Sequence, residues 1–574
     1  MTPKEEKKVK EVKEKYTLAQ NKKSEDDRHA DFDKWQDYYA GTSKELEERA
    51  KRGLSALMPA WAQAGVDYVL AKEVAVIFGQ KPYWSVGATR KKWEGAAKLQ
   101  QELLTWHLDN PKEFLNCVQW LQTKGVYGTS IRKPMWDRQL NEFALEEIDN
   151  KNFYPSPDGT SIFKIPWAVQ RSLRTREYIE AMGKPWKGSR KSTYINTKGL
   201  LSKDGGQFIM EHAEEQGTRW TDEEKKNLYE ILECWNRVTD RVITIGERRV
   251  LLRDSKRPYE KMTKYRLPFI VMIDWPRPKS FWGIGRIEAI ELHLRELAHI
   301  KNQRFDNVNL VLNPPLKYDK GADVDLSALP IKPNALIGMD DLESLKPFFD
   351  AGWPFVTQSV YSESAEIEKE IQNRLGLQEP SMGRRPEQRE TATALVRLQQ
   401  AGNTIFQFMN MMSLWLGMKE LAAWTSAIDQ QYLKDTVSIP YLYDSEHRGD
   451  YLTITRERLK GEFYFTPKVA PLDPESIKDV QRGQFITAVQ TILAMQAKMR
   501  IGELARILLE KFDIPEEEIE KILPREEEIP GLPPGAEGAG AMGRGGKAPV
   551  ELGEEISATA GRAMPGTPPS PRGR

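Results

Sequence analysis

Apolar positions recur at three- and four-residue intervals from about residue 43 to 123, which predicts helices with short breaks. KELEERAKRGLSALMPAW opens that region, and WEGAAKLQQELLTWHL and PKEFLNCVQWLQTKG continue it. Ser43, with Glu47 four positions on, reads as a loose N-cap rather than a capping box. Ahead of it, eight lysines among the first 23 residues alternate with glutamates, the pattern of a frayed helix or disordered arm over residues 1–43. From about 125 to 274 the period shortens. VYGTSIRKPMWD, NFYPSPDG, WAVQRSLRT and RVITIGERRVLL place β-branched and aromatic residues between turn signals and predict strands. One helix is expected to interrupt them near DEEKKNLYEILECW.

A long helix is then predicted from Arg286 to Leu312, stopped by Asn313, Pro314 and Pro315. Ile287, Ile290, Leu294 and Leu297 make a narrow apolar seam along it, and a seam of that width invites a neighbouring subunit. Short strand-like pieces fill 316–348, a second helix covers about 354–377, and a polar loop with three arginines spans 378–390. The third long helix, about 391–426, carries Leu395, Leu398, Ile405, Met409, Met412 and Leu416 on one line. GEFYFTPKVAPL reads as β-like, and two more helices are expected over 474–521. The last 44 residues hold 11 glycines, 7 prolines and no aromatic residue, a composition that cannot offset chain entropy by burial.

Composition removes several classes. Lys+Arg number 85 and Asp+Glu 84, so the net charge is +1, without the basic excess of a protein that lives by gripping phosphates. No uninterrupted apolar run reaches membrane-spanning length, and the charged N-terminus has no secretory pattern. Cys117 and Cys234 are too few for a disulfide framework or a zinc ribbon. His293 and His299 are six apart, which puts them on different helix faces. GAGAMG at 538–543 matches GxGxxG without the flanking strand and helix, GRGGKA misses a phosphate loop, and no GxSxG elbow occurs. No catalytic residue, metal or cofactor is therefore expected.

The order of the parts is more specific than any one of them: a mixed β region, a long narrow-seamed helix, a Pro-stopped β insertion, a returning helix, a polar loop, and another long helix. In this order VYGTSIRKPMWD with FYPSPDG, residues 267–316 (LPFIVMIDWPRPKSFWGIGRIEAIELHLRELAHIKNQRFDNVNLVLNPPL), residues 371–377, and ETATALVRLQQAGNTIF resemble the portal proteins of tailed bacteriophages, of the podovirus-like kind. The resemblance implies an α+β, mainly α fold. Its parts would be a wing (44–275 and 391–470), a stem (276–312 and 349–377), a clip (313–348), a channel loop (378–390) and a crown (471–524), followed by the Gly/Pro-rich tail (525–574). It further implies a ring, of twelve in the virion, at one capsid vertex. Double-stranded DNA would pass through it, and its partners would be the large terminase, major capsid and scaffold proteins, and head-completion or tail adaptor proteins. Such a protein is made in the host cytoplasm, is not inserted in a membrane, and is not an enzyme.

By that resemblance Arg384, Arg385, Gln388 and Arg389 would line the constriction and touch DNA. Asp319, Asp323, Asp325, Asp340, Asp341 and Glu343 would form a docking face on the clip, while Ile287, Ile290, Leu294 and Leu297 would meet the next subunit. Residues 287–377 hold 9 Lys/Arg against 15 Asp/Glu, an acid excess suited to a conduit through which DNA must slide. Two other classes remain open at this point: a virion adaptor or scaffold ring that never touches DNA, and a metal-dependent DNA-processing enzyme.

Overall fold

The computed structural model describes residues 2–26, 28–137, 142–185, 192–202, 227–259, 266–312, 316–318, 345–347, 357–377, 404–433, 436–440 and 451–469. All belong to the first of two compact units, residues 1–474. The described chain is α+β and mostly helical.

The N-terminal segment is helix α1 (Pro3–Glu25), closed by a capping box in which Thr2 and Glu5 exchange side chain-to-backbone hydrogen bonds. It is no arm. Val9, Val12, Tyr16 and Ala19, at helical spacing, are buried against Tyr154, Val169, Cys234 and Ile243 of a β-sheet. Four apolar side chains among many lysines and glutamates make a stripe too thin to stand out in composition, yet wide enough to dock one helix. α2 (Arg28–Tyr39) and α3 (Lys44–Lys51) follow; Ser43 caps α3, accepting from the Leu46 N–H at 3.2 Å. Then come α4 (Trp61–Phe78), α5 (Glu94–Leu108) and α6 (Pro111–Tyr127), with strand β1 (Trp84–Ala88) in a break that the helical period left blank.

The strand region builds two antiparallel sheets. β2 (Thr129–Asp137) lies between β3 (Glu142–Ile148) and β9 (Ile270–Ile273), with Ile131 opposite Ile148 on one side and Val271 on the other. The second sheet runs in sequence order from β4 (Phe153–Pro155) through β5 (Trp167–Thr175), β6 (Leu228–Asn236) and β7 (Arg241–Gly246) to β8 (Val250–Lys256). Short helices α7 (Arg176–Gly183) and α8 (Thr197–Leu201) pack on it.

The helix expected near DEEKKNLYEILECW is corrected, because LYEILECW lies in the central strand β6. Leu228, Ile231, Leu232 and Trp235 fit a helical period, but both faces of this strand are covered. Leu232 and Cys234 meet α1, whereas Tyr229 and Ile231 meet Ile179 and Leu200. A strand buried on both sides loses the alternation that would betray it.

The long helix α9 (Arg286–Leu312) and its returning partner α10 (Thr357–Leu375) fall as predicted. Between them in sequence, β10 (Leu316–Tyr318) pairs antiparallel with β11 (Leu345–Pro347). The third long helix is described as α11 (Thr404–Met412) and α12 (Lys419–Tyr432), joined by a π-helical turn, Ser413–Met418. β12 (Val437–Pro440) pairs with β13 (Tyr451–Ile454), and β14 (Phe463–Pro467) returns to pair with β1. The helices expected over 474–521 and the tail lie outside the described residues.

Candidate functional site

The two stretches richest in family-like pattern meet at the root of α9. Gly128 ends α6 in the left-handed region, φ +75°, with its N–H donating to the Lys124 carbonyl at 2.8 Å. The turn before α9 presses directly on it. A Cβ at Gly128 would stand 2.4 Å from the Gly285 nitrogen, and one at Gly285 would stand 2.6 Å from the Val126 carbonyl oxygen. Only two chains without side chains can cross this closely. The crossing is tied by the Asp274 N–H donating to the Gly128 carbonyl at 3.0 Å, and by the Gly283 N–H donating to Thr129 Oγ1 at 2.8 Å.

Beside the crossing sits a closed set of charges. Lys124 Nζ lies 2.6 Å from Glu73 Oε1 and 3.2 Å from Asp274 Oδ1, and the Arg286 guanidinium lies 3.2 Å from Glu73 and 3.1 Å from Asp274. None of the four side chains is more than 2% exposed. Two cations face two carboxylates, so the cluster is neutral as a whole. Burial opposes ionisation of Glu73, but Lys124 and Arg286 outweigh it and hold its carboxyl below the ordinary range. Burial likewise works against the Arg286 charge, and Asp274 and Glu73 outweigh it. Both cations make further local hydrogen bonds. Lys124 donates to Ser413 Oγ at 2.6 Å, and Arg286 Nη1 donates to the Val66 carbonyl at 3.3 Å. Ser413 comes from the first residue of the π turn, which therefore delivers the third long helix into the same cluster. Residues from α4, α6, the end of β9, α9 and the π turn thus fix the direction in which α9 leaves the body.

α1 reaches the same root. Lys23 Nζ donates to the carbonyls of Asn150 and Lys151 at 2.6 and 2.9 Å, and lies 4.6 Å from the Tyr154 ring and 5.2 Å from that of Trp282. Further out, Asn302 of α9 exchanges two hydrogen bonds with the backbone of Leu57, and Arg49 pairs with Asp306 at 2.5 Å. α10 runs antiparallel beside α9, through Arg374 to the Ala289 carbonyl at 3.3 Å, His293 with Glu370 at 3.1 Å, and Lys301 with Glu368 at 2.8 Å.

The expected inter-subunit seam needs correction. Ile287, Leu294 and Leu297 are 0% exposed and Ile290 is 1% exposed, packed in one core with Val66, Ile371 and Leu375 of the same chain. A narrow stripe states how much surface a helix buries, not whose surface covers it; here α4 and α10 supply the cover. The acid excess is softened in the same way. Glu291 pairs with Lys34, Asp306 with Arg49, and Glu288 with Arg277, cations that lie outside the segment counted. Arg384, Arg385, Gln388 and Arg389 lie outside the described residues, as do Asp319, Asp323, Asp325, Asp340, Asp341 and Glu343.

The sequence reading missed Glu73, Lys124, Asp274 and Arg286. A signal was present: Glu73 sits in VLAKEVAVIFG and Asp274 directly follows IVMI, acids set in largely apolar runs. Such a charge is tolerated only when paired. Among the described residues no group of three or more His, Cys, Asp or Glu is placed to hold a metal ion, and no helix is long and apolar enough to cross a membrane.

Compared with known proteins, the chain matches the family profile described as phage SU10 portal protein over residues 122–512, more than half its length. That span contains the glycine crossing, both long helices and the π turn. No curated protein matches it.

Proposed function

The chain belongs to the phage SU10 portal protein family, and we propose that it assembles as a ring at one capsid vertex, where it conducts DNA into and out of the head. Membership of a portal family supports a structural role and implies a component of the virion. The observation that carries the reading is the helix pair α9–α10, a stalk rooted in a neutral, fully buried ion cluster. A stalk that transmits load at its base needs fixed direction. Paired charges with several short contacts give it, because any reorientation of α9 would strand a charge out of water.

In this reading the stem is formed by α9 and α10, the clip by residues 313–348, and the channel loop by 378–390. Arg384, Arg385, Gln388 and Arg389 contact the passing duplex, while Asp319, Asp323, Asp325, Asp340, Asp341 and Glu343 offer an acidic face to terminase and later to head-completion proteins. The ring has twelve subunits in the virion and also meets major capsid and scaffold proteins. Lateral contacts fall to residues other than the buried seam of α9.

Negative-stain imaging of the purified protein tests assembly: rings with an axial hole wide enough for a duplex are expected, and a monomer at high concentration would sink the proposal. Reversing Arg384, Arg385 and Arg389 to glutamate should leave rings intact and lower DNA packaging or retention. Unchanged packaging would return the protein to the class of adaptor rings that do not touch DNA.

A further inference from the structure

We propose that the groove between α12 and β14 is a second DNA-contacting surface, one that takes the phosphate backbone of a duplex outside any axial channel. The choice of DNA as the polyanion rests on the portal reading above.

The groove has a volume of about 960 Å³ and is walled by α12, the turn before β14, Arg266 and Trp93. Its cations come from separate segments: Arg266, Lys419 at the start of α12, and Arg456 and Lys460 in the turn. Trp93 adds two more, because the Arg90 guanidinium lies 5.2 Å and the Lys92 ammonium 4.8 Å from its ring centre. Lys419 stands 4.1 Å over the exposed Trp415 ring. Segments so far apart in sequence are brought together by β1 pairing with β14, where the Thr89 N–H donates to the Glu462 carbonyl at 3.1 Å.

These cations are held differently from those of the core. Lys124, Arg171 and Arg286 each face a carboxylate that cancels their charge. Arg90, Lys92 and Lys419 are instead seated on aromatic rings, which restrict a side chain without neutralising it. Arg456 is fixed by donating to the Gln430 carbonyl at 3.0 Å, again a neutral partner. Two carboxylates line the groove. Glu420 is already engaged by Arg266 at 2.6 Å, so among the described residues Glu462 is the carboxylate left to offset the rest of the lining, while Glu94 and Glu457 are exposed close by in sequence. The result is a rim on which positive side chains outnumber carboxylates among the described residues, on a chain whose total is only +1.

A single phosphate or headgroup would call for cations converging on one point. Cations dispersed over several segments suit a polymer whose charge repeats at intervals and whose sequence is not read. Aromatic mounting lowers the entropy lost when the lysines meet such a polymer.

The full-length protein should be titrated with a closed circular duplex, which cannot thread a ring, between 50 and 200 mM salt. Wild-type binding is expected to weaken with salt. K92E/K419E/K460E should lower affinity at least tenfold and reduce the slope of log affinity against log salt by roughly three. K92Q and K460Q, both at exposed positions, should each reduce that slope by about one, and they cover the case in which the triple variant folds badly. Unchanged affinity and slope in these variants would overturn the proposal. So would equal capture of poly-glutamate through the same three lysines, which would make the groove a docking face for an acidic protein. Rings seen in negative stain for a variant that has lost the circle isolate the groove from assembly, whereas failure of the wild type to form rings counts against the portal reading itself.

Discussion

Replacing Arg286 with methionine removes one of two cations from a cluster that holds two carboxylates, at nearly constant volume. Glu73 and Asp274 would then share Lys124 alone, in a site from which water is excluded. The ion pairs that Arg286 makes with Glu73 and Asp274 are 3.2 and 3.1 Å long, worth about 5 kcal/mol each before desolvation at an effective dielectric constant of ~20. Removing one partner of a buried pair typically costs ~3–5 kcal/mol, because the partner left behind stays desolvated. The unit that must unfold spans residues 1–474. At about 2.1 cal/mol/K per residue its unfolding entropy is roughly 1 kcal/mol/K, so melting should fall by about 3–5 °C. Differential scanning calorimetry measures this directly. The decisive comparison is Arg286→Met with Asp274→Asn, which restores one cation against one carboxylate and should recover at least half the loss. Melting of Arg286→Met within a degree of wild type would refute the cluster's role. Strict additivity of the two substitutions would refute the pairing, since coupled neighbours must deviate from it.

Burial pushes the Glu113 carboxyl up, so the folded state holds its proton more tightly than the unfolded chain and stability falls as pH rises above about 4.3. Glu113→Gln should therefore raise the urea midpoint at pH 7 and lose its advantage below about pH 4. Glu73 has the opposite sign: its contribution is complete above the ordinary glutamate pKa and is lost on further acidification, which acid-unfolding curves of Glu73→Gln should show. Gly128→Ala combines a left-handed backbone with a Cβ 2.4 Å from neighbouring main chain and should cost at least ~2 kcal/mol. By contrast, Gly95→Ala in α5, with nothing within 4 Å of the added atom, should melt at or above wild type. Deleting residues 1–25 should uncover Cys234, whose thiol burial has pushed up to about 12. One thiol should then react with a disulfide reagent where the intact chain offers none, and zero reactive thiols would mean α1 is not its cover.

The long helices were legible because their boundaries are chemical: Asn313, Pro314 and Pro315 must stop α9, and its apolar stripe has a single period. The hairpin of β7 and β8 was legible for the same reason, since RVITIGERRVLL carries its turn within the run. β6 was not, because a strand covered on both faces by α1 and α8 shows no alternation. The destination of the Ile287 stripe was hidden too. Periodicity fixes which side of a helix is dry, while the identity of the covering surface depends on α4 and on α10, which returns from far along the chain. The ion cluster unites Glu73 with Ser413, and nothing local to either residue points to the other.

The pairing of β1 with β14 sets a schedule for synthesis. Trp84 meets Pro467, so a strand made early waits on the ribosome until α9, α10 and the third long helix have been translated. At about 5–20 residues per second that wait lasts on the order of tens of seconds. Throughout it, the edge of β1 has no partner and is open to chaperones or to mispairing. A chain released before residue 463 never closes that edge, so prematurely terminated copies carry their own mark and are distinguished from finished ones before any higher assembly begins.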